Sequence, residues 1–138
     1  MSLQHMQIGE VAVRTGLSLR TIRYYEEVGL VRPSSRTPGG FRLYSEPDVA
    51  RLNLVKRMKP LGFSLEEMRD LLSALDGLDA AAGDESARGA LIDRLAAYRA
   101  AAEQRCAALR EQLDTAEAFA ADLRTEIARQ RQLVTQTR

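Results

Sequence analysis

The stretch Ser18-Leu19-Arg20-Thr21-Ile22-Arg23-Tyr24-Tyr25-Glu26 decides how the rest of this chain is read. It predicts a short helix with a clean start, because Ser18 can accept from the free N–H groups of the first turn. Gly16 before it and Gly29 after it suit the positive-φ positions that end helices. With residues about 100° apart, two faces separate. Leu19, Ile22 and Tyr25 form an apolar stripe, while Arg20, Arg23 and Tyr24 point the other way. A recognition helix is built like this: the back docks on a core, and guanidinium and phenol groups reach phosphates and base edges. The plainer reading is an amphipathic helix with a solvated basic face, and these nine residues alone do not separate the two.

Towards the N-terminus, Ile8 to Thr15 predicts a first short helix with Ile8, Val11 and Ala12 inward and Gly16 closing it. Leu17 sits in the turn, where an apolar residue plugs the corner between two helices. Helix, Gly-containing turn, helix is the helix-turn-helix layout. His5-Met6 is what a common cloning site leaves before a native start, so residues 1–6 read as a cloning remnant plus the start, and Met1–His5 carry no functional weight.

Towards the C-terminus, Gly29-Leu30-Val31 leaves the helix and Pro33 prevents its return. Arg36 to Tyr44 then reads as a β-hairpin: Pro38-Gly39-Gly40 turns the chain, and Phe41 and Leu43 alternate with Arg42 and Tyr44. A hairpin with arginine on both strands directly after a helix-turn-helix is a wing; the alternative is a linker with a tight turn. Ser45, Pro47 and Asp48 open a further helix with Val49, Leu52 and Val55 on one face. Pro60-Leu61-Gly62 ends it. Ser64-Leu65-Glu66-Glu67 is a capping box that starts another, with Leu65, Met68, Leu71, Leu72 and Leu75 inward and Asp76-Gly77 as its stop. The loop from Lys59 to Gly62 is either a second phosphate-touching wing or simply a turn.

The 138 residues, 45% hydrophobic and 28% charged, suit a small globular domain plus one extended element. No run of about 18 apolar residues predicts a membrane span, and no basic-then-apolar leader opens the chain. One cysteine makes no internal disulfide, which agrees with a cytoplasmic protein. One cysteine and one histidine leave no zinc finger or His/Cys cage, so no metal ligand and no cofactor is expected. Net charge is only +1, but from Arg14 to Lys59 ten Lys/Arg face four Asp/Glu, whereas from Asp76 onward nine face eleven. A basic front and a mildly acidic tail fit nucleic-acid contact by the front alone.

Residues 76–89, rich in Ala, Asp and Gly, read as a linker. Residues 90–135 carry no Pro or Gly and are dominated by strong helix formers. Their a and d positions are Ile92, Leu95, Arg99, Ala102, Cys106, Leu109, Leu113, Ala116, Ala120, Leu123, Ile127, Gln130 and Val134. Eleven of these thirteen are apolar, ten of them without Cys106, which supports a coiled-coil seam. A helix about 70 Å long cannot bury such a stripe on one small domain and needs a partner chain, most simply a second copy. The expected pairing residues are Ile92, Leu95, Ala102, Cys106, Leu109, Leu113, Ala116, Leu123 and Ile127. The fold class is thus mainly α: a winged helix-turn-helix domain over 7–75 followed by a long dimerisation helix.

The assembled motifs are similar to those of the MerR family of bacterial transcription regulators. Ile8-Gly9-Glu10-Val11-Ala12, Thr15-Gly16-Leu17-Ser18, Thr21-Ile22-Arg23-Tyr24-Tyr25-Glu26, Gly40-Phe41-Arg42-Leu43-Tyr44 and Leu61-Gly62-Phe63-Ser64-Leu65-Glu66-Glu67 carry the resemblance. It implies a homodimer, paired through antiparallel long helices, that binds an inverted repeat in promoter DNA with an unusually long spacer. Bending and untwisting that DNA lets RNA polymerase engage both of its elements. By position, Arg20 faces the groove with Ser18, Leu19 and Thr21 close to it. Arg23, Tyr24, Arg36, Arg42 and Tyr44 hold the backbone. Lys59, counted with the DNA-binding residues on the residue pattern and not on the resemblance, touches a phosphate only if its loop acts as a second wing. Phe41 stands where the family usually has tyrosine; a hydroxyl is lost and packing is expected to be kept. Glu26, whose charge opposes the helix dipole, is expected to pair with Arg32 or Arg42 and brace the wing.

The family's metal and redox sensors carry several cysteines, whereas this chain has only Cys106, read as a core residue of the seam. A small-molecule effector is left open and unidentified, with any pocket expected between the coiled coil and the DNA-binding domains. An enzyme is the weakest reading, since no nucleophile–base pair and no phosphate loop is present. A coiled-coil adaptor that has lost DNA contact is the competing class, and it leaves Arg20, Arg23, Arg42 and the wing unexplained.

Overall fold

The computed structural model describes residues 5–33 and 35–137. Residues 1–4 of the expected cloning remnant lie outside them. Helix α1 spans Ile8–Thr15 and ends at Gly16, whose φ of 72° lets its N–H return to the Ala12 carbonyl. The buried Thr15 hydroxyl donates to the Val11 carbonyl and accepts from the Leu17 N–H, which tightens the turn. Helix α2, Leu19–Glu27, starts on Ser18, whose Oγ accepts from the Thr21 N–H at 3.1 Å. It closes at Gly29: the Gly29 N–H returns to Glu26 and the Leu30 N–H to Tyr25, the two bonds of a Schellman motif. Ile22 and Tyr25 are buried as expected. Leu19 is not: at 40% exposed it lies in a first turn whose neighbours Ser18 and Arg20 are also exposed, and burial begins at Ile22.

Strands β1, Ser35–Arg36, and β2, Arg42–Leu43, pair antiparallel with Arg36 opposite Arg42. Their turn is closed between Thr37 and Phe41, with Gly40 at φ 85°. Beyond β2, Tyr44 exchanges both backbone hydrogen bonds with Met6 at 2.7 Å, so the start of the chain seats the base of the hairpin. Helix α3, Glu46–Met58, is held at its start by Asp48, which accepts from the Ser45 N–H at 2.8 Å and the Ser45 hydroxyl at 3.1 Å. Helix α4, Leu65–Ala80, opens on the reciprocal Ser64/Glu67 box. Ile22, Tyr44, Val49, Leu52, Val55 and Leu72 meet in the core between these elements.

Two boundaries move. Asp76-Gly77 does not stop α4, and the 76–89 linker shrinks to residues 81–84, because α5 already begins at Glu85 and runs to Gln136. Gly77 stays helical because Leu91 of α5 packs against it: a Cβ there would lie 3.0 Å from a Leu91 methyl. Close approach, not chain reversal, is what this glycine supplies. The sharp corner is made instead by Gly83 at φ 91° and by Asp84, which accepts from the Ala87 N–H.

The chain divides into two compact units, Met1–Tyr98 and Arg99–Arg138. The first extends past the expected limit at Leu75 because the first turns of α5 pack on α4. Asp70 binds both Arg94 and the Tyr98 hydroxyl, and the Tyr98 ring meets Phe63. The second unit is helical, and every described side chain from Cys106 onward is exposed. Among the described residues no helix is long and apolar enough to cross a membrane.

Candidate nucleic-acid interface

The charge of the basic front is spent unevenly. Arg14 forms a two-pronged pair with Glu46 at 2.5 and 2.7 Å, which holds the Glu46 carboxyl below its usual range. Lys56 donates to the Thr15 carbonyl at 2.6 Å, and Arg51 pairs with Asp76. These three fasten α1, α3 and α4 to one another. Arg20, Arg23, Arg36 and Lys59 are exposed and are the cations presented around the outer face of α2.

Three shallow concavities meet on that face. Arg20, Thr21 and Tyr24 share one with Lys59, Phe63 and Met68. Arg23 shares another with Arg36, Gly40, Phe41 and Arg42 of the hairpin. Arg20, Arg23, Tyr24 and Glu27 line the third. Since Arg20, Arg23 and Tyr24 recur, the helix face is continuous with the hairpin on one side and the Lys59 turn on the other. A rigid helix flanked by two cationic loops can set guanidinium groups against base edges while the loops grip phosphates. Ser18 remains exposed while capping the helix, and Thr21 is half-buried beside it.

One expected contact is withdrawn. Tyr44 is fully buried, and its hydroxyl donates to Glu26 Oε2 at 2.7 Å. Burial first, then this bond, push its phenol well above the ordinary tyrosine value, so it stays a neutral donor within the fold. It fixes the hairpin rather than reaching a phosphate. The partner of Glu26 is Arg42, whose Nε lies 2.8 Å from Oε1. The expected brace therefore exists, and it leaves the terminal nitrogens of Arg42 for an outside acceptor. Phe41 also departs from expectation: it is 66% exposed at the hairpin tip and does not pack. A two-residue strand carries too little alternation to reveal which of its neighbours turns inward.

On α5 the expected pairing residues Ile92, Leu109, Leu113, Leu123 and Ile127 are exposed, as are Cys106 and Ala116, whereas Leu95 and Ala102 are half-buried. Phe119, 65% exposed, widens the apolar stripe and was missed by counting a and d positions alone; its spacing from Ala116 and Leu123 is the signal that finds it.

Comparison with known proteins agrees with this architecture. A family model described as MerR HTH family regulatory protein matches residues 6–75, and one described as MerR, DNA binding, matches residues 49–125. The HTH-type transcriptional regulator HmrR of Rhizobium leguminosarum bv. viciae is 47% identical over 79 residues, covering 57% of this chain and 60% of that protein. The mercuric resistance operon regulatory protein of Bacillus cereus is 47% identical over 70 residues, covering 51% and 53%. The chain thus spans little more than half the length of these relatives. A crystal structure of a MerR family transcriptional regulator from Bacillus cereus superposes with a TM-score of 0.55 at 28% identity, covering 85% of this chain and 76% of that one. Matched over more than half its length by models of one family and folded like that family's solved members, the chain belongs to the MerR family of helix-turn-helix regulatory proteins.

Proposed function

We propose that this chain is a sequence-specific DNA-binding transcription regulator. It acts as a homodimer on an inverted repeat in a promoter and controls access by RNA polymerase through distortion of that DNA. The observation that carries the reading is the continuous face of Arg20, Arg23 and Tyr24 flanked by Arg36 and Arg42 on the hairpin and by Lys59 on the second turn. Two such faces are needed for an inverted repeat, and the exposed stripe of Leu109, Leu113, Leu123 and Ile127 supports pairing through α5. Phosphate contacts set the register, and part of the specificity then lies in the deformability of bases the protein does not touch.

One relative is named for mercury resistance. This chain has one cysteine and one histidine, and among the described residues no three His, Cys, Asp or Glu side chains come together as a metal site. Footprinting on the DNA upstream of its own gene, combined with transcription in vitro, tests the reading. The expected result is a protected inverted repeat with affinity that falls steeply as salt rises. Equal affinity for that fragment and for random DNA refutes promoter-specific binding.

A further inference from the structure

Lys59, Pro60 and Leu61 form a 3-10 turn closed by Gly62 at φ 83°. The Gly62 N–H returns to the Lys59 carbonyl at 2.9 Å and the Phe63 N–H to the Met58 carbonyl at 3.3 Å. These are the paired bonds of a Schellman motif, so Lys59 and Phe63 are parts of one rigid turn. Phe63 is buried, lines the concavity shared by Arg20, Tyr24 and Lys59, and meets the ring of Tyr98 edge-on, with centroids 6.1 Å apart and planes at 61°. The Tyr98 hydroxyl donates to Asp70 Oδ2 at 2.7 Å, while Arg94, one turn earlier on α5, holds the other Asp70 oxygen and donates to the Asp70 carbonyl at 3.2 Å. The Tyr98 ring is therefore tied at its hydroxyl as well as at its backbone. It lies off the a and d positions of the apolar stripe, so pairing of chains does not account for it.

We propose that Tyr98 is a positioning residue for the DNA contact of Lys59. Asp70 sets the angle of the Tyr98 ring, the ring edge fixes Phe63, and Phe63 places the Lys59 turn beside the recognition helix. This inference rests on the DNA-binding reading above.

The test is the salt dependence of full-length protein binding to the DNA upstream of its own gene, for wild type, Lys59→Ala, Tyr98→Leu and the double variant. Lys59→Ala is expected to lower affinity about fivefold and reduce the log–log salt slope by about 0.9, the loss of one phosphate contact. Tyr98→Leu is expected to reproduce both changes, and the double variant to be no weaker than either single. A merely structural role lowers the urea midpoint but leaves the slope and the Lys59→Ala effect intact; that result overturns the proposal. Where Tyr98→Leu does not give a folded protein by circular dichroism, Phe63→Leu breaks the same contact from its other member, with the same two outcomes. If the wild type shows no salt-dependent preference for this DNA, the DNA-binding reading fails; a wild-type slope unchanged in Tyr98→Leu refutes the positioning role alone.

Discussion

Glu26→Gln tests the brace that joins the recognition helix to the wing. The carboxylate side chain is 12% exposed, with one oxygen on Arg42 Nε at 2.8 Å and the other on the Tyr44 hydroxyl at 2.7 Å. Glutamine keeps one acceptor and replaces the other with a donor. With its oxygen on Tyr44, the NH2 group faces the guanidinium donor to donor; turned over, it leaves the buried Tyr44 hydroxyl without an acceptor. One charged hydrogen bond is lost in either arrangement, which is about 1.5–3 kcal/mol for a buried pair. Arg42 is 39% exposed and recovers water, so the expected loss is about 1–2 kcal/mol. With an m-value of about 2 kcal/mol/M, the urea midpoint falls by roughly 0.5–1 M. DNA binding changes in a second, separable way. Removing a negative charge beside the phosphates strengthens non-specific binding, while a loosened hairpin weakens specific binding, so the ratio of the two falls. Urea unfolding at fixed protein concentration and anisotropy titrations with the upstream and random fragments measure the two effects. A midpoint and a specificity ratio both at wild-type values would falsify the brace.

Gly77→Leu overfills the contact with Leu91 and is expected to cost about 1–3 kcal/mol in urea unfolding. By contrast, Gly89→Ala in α5, where an added Cβ meets nothing within 4 Å, is expected to stabilise by about 1 kcal/mol. Leu113→Arg places a charge in the exposed stripe and is expected to give monomers by sedimentation at concentrations where the wild type is paired; an unchanged sedimentation coefficient removes that stripe from the pairing surface. The Tyr98 phenol is pushed up to about 12, first by burial and then by its bond to Asp70. Its folded-state value lies above the unfolded one, so its contribution is present below about pH 10 and lost as pH rises towards 12. An alkaline titration of phenolate absorbance is expected to lose its component near 12 in Tyr98→Phe. The Asp70 carboxyl is held low, first by the Tyr98 hydroxyl and then, against desolvation, by Arg94. Its contribution is therefore present above about pH 4 and lost as pH falls, which acid unfolding of Asp70→Asn checks.

The elements of the helix-turn-helix were legible because their signals are local. Ser18, Ser45 and Ser64 each act within three residues of chain, and Gly16, Gly29 and Gly62 each permit one backbone conformation that closes a turn. The Arg20/Arg23/Tyr24 face followed from helical spacing alone, and the order of motifs pointed to the family.

Where a residue's fate depends on a partner distant in sequence, the chain left alternatives open. Glu26 had two candidate arginines, and the hairpin's return over α2 selected Arg42. Tyr44 reads as a backbone contact and is buried, and Phe41 reads as packed and is exposed, because Met6 seats the hairpin base so that Tyr44 lies in the core and the tip stands clear. Gly77 reads as a stop, yet it lies inside α4 with Leu91 packed against it. The sequence by itself determined the helices from Ile8 to Met58, their caps and the Arg20/Arg23/Tyr24 face, since these rest on interactions spanning a turn or less. Only the tertiary structure decided which cations face outward, which tyrosine is spent inside and that Tyr98 stands against Phe63. Those outcomes depend on the packing of segments tens of residues apart, which no local pattern encodes.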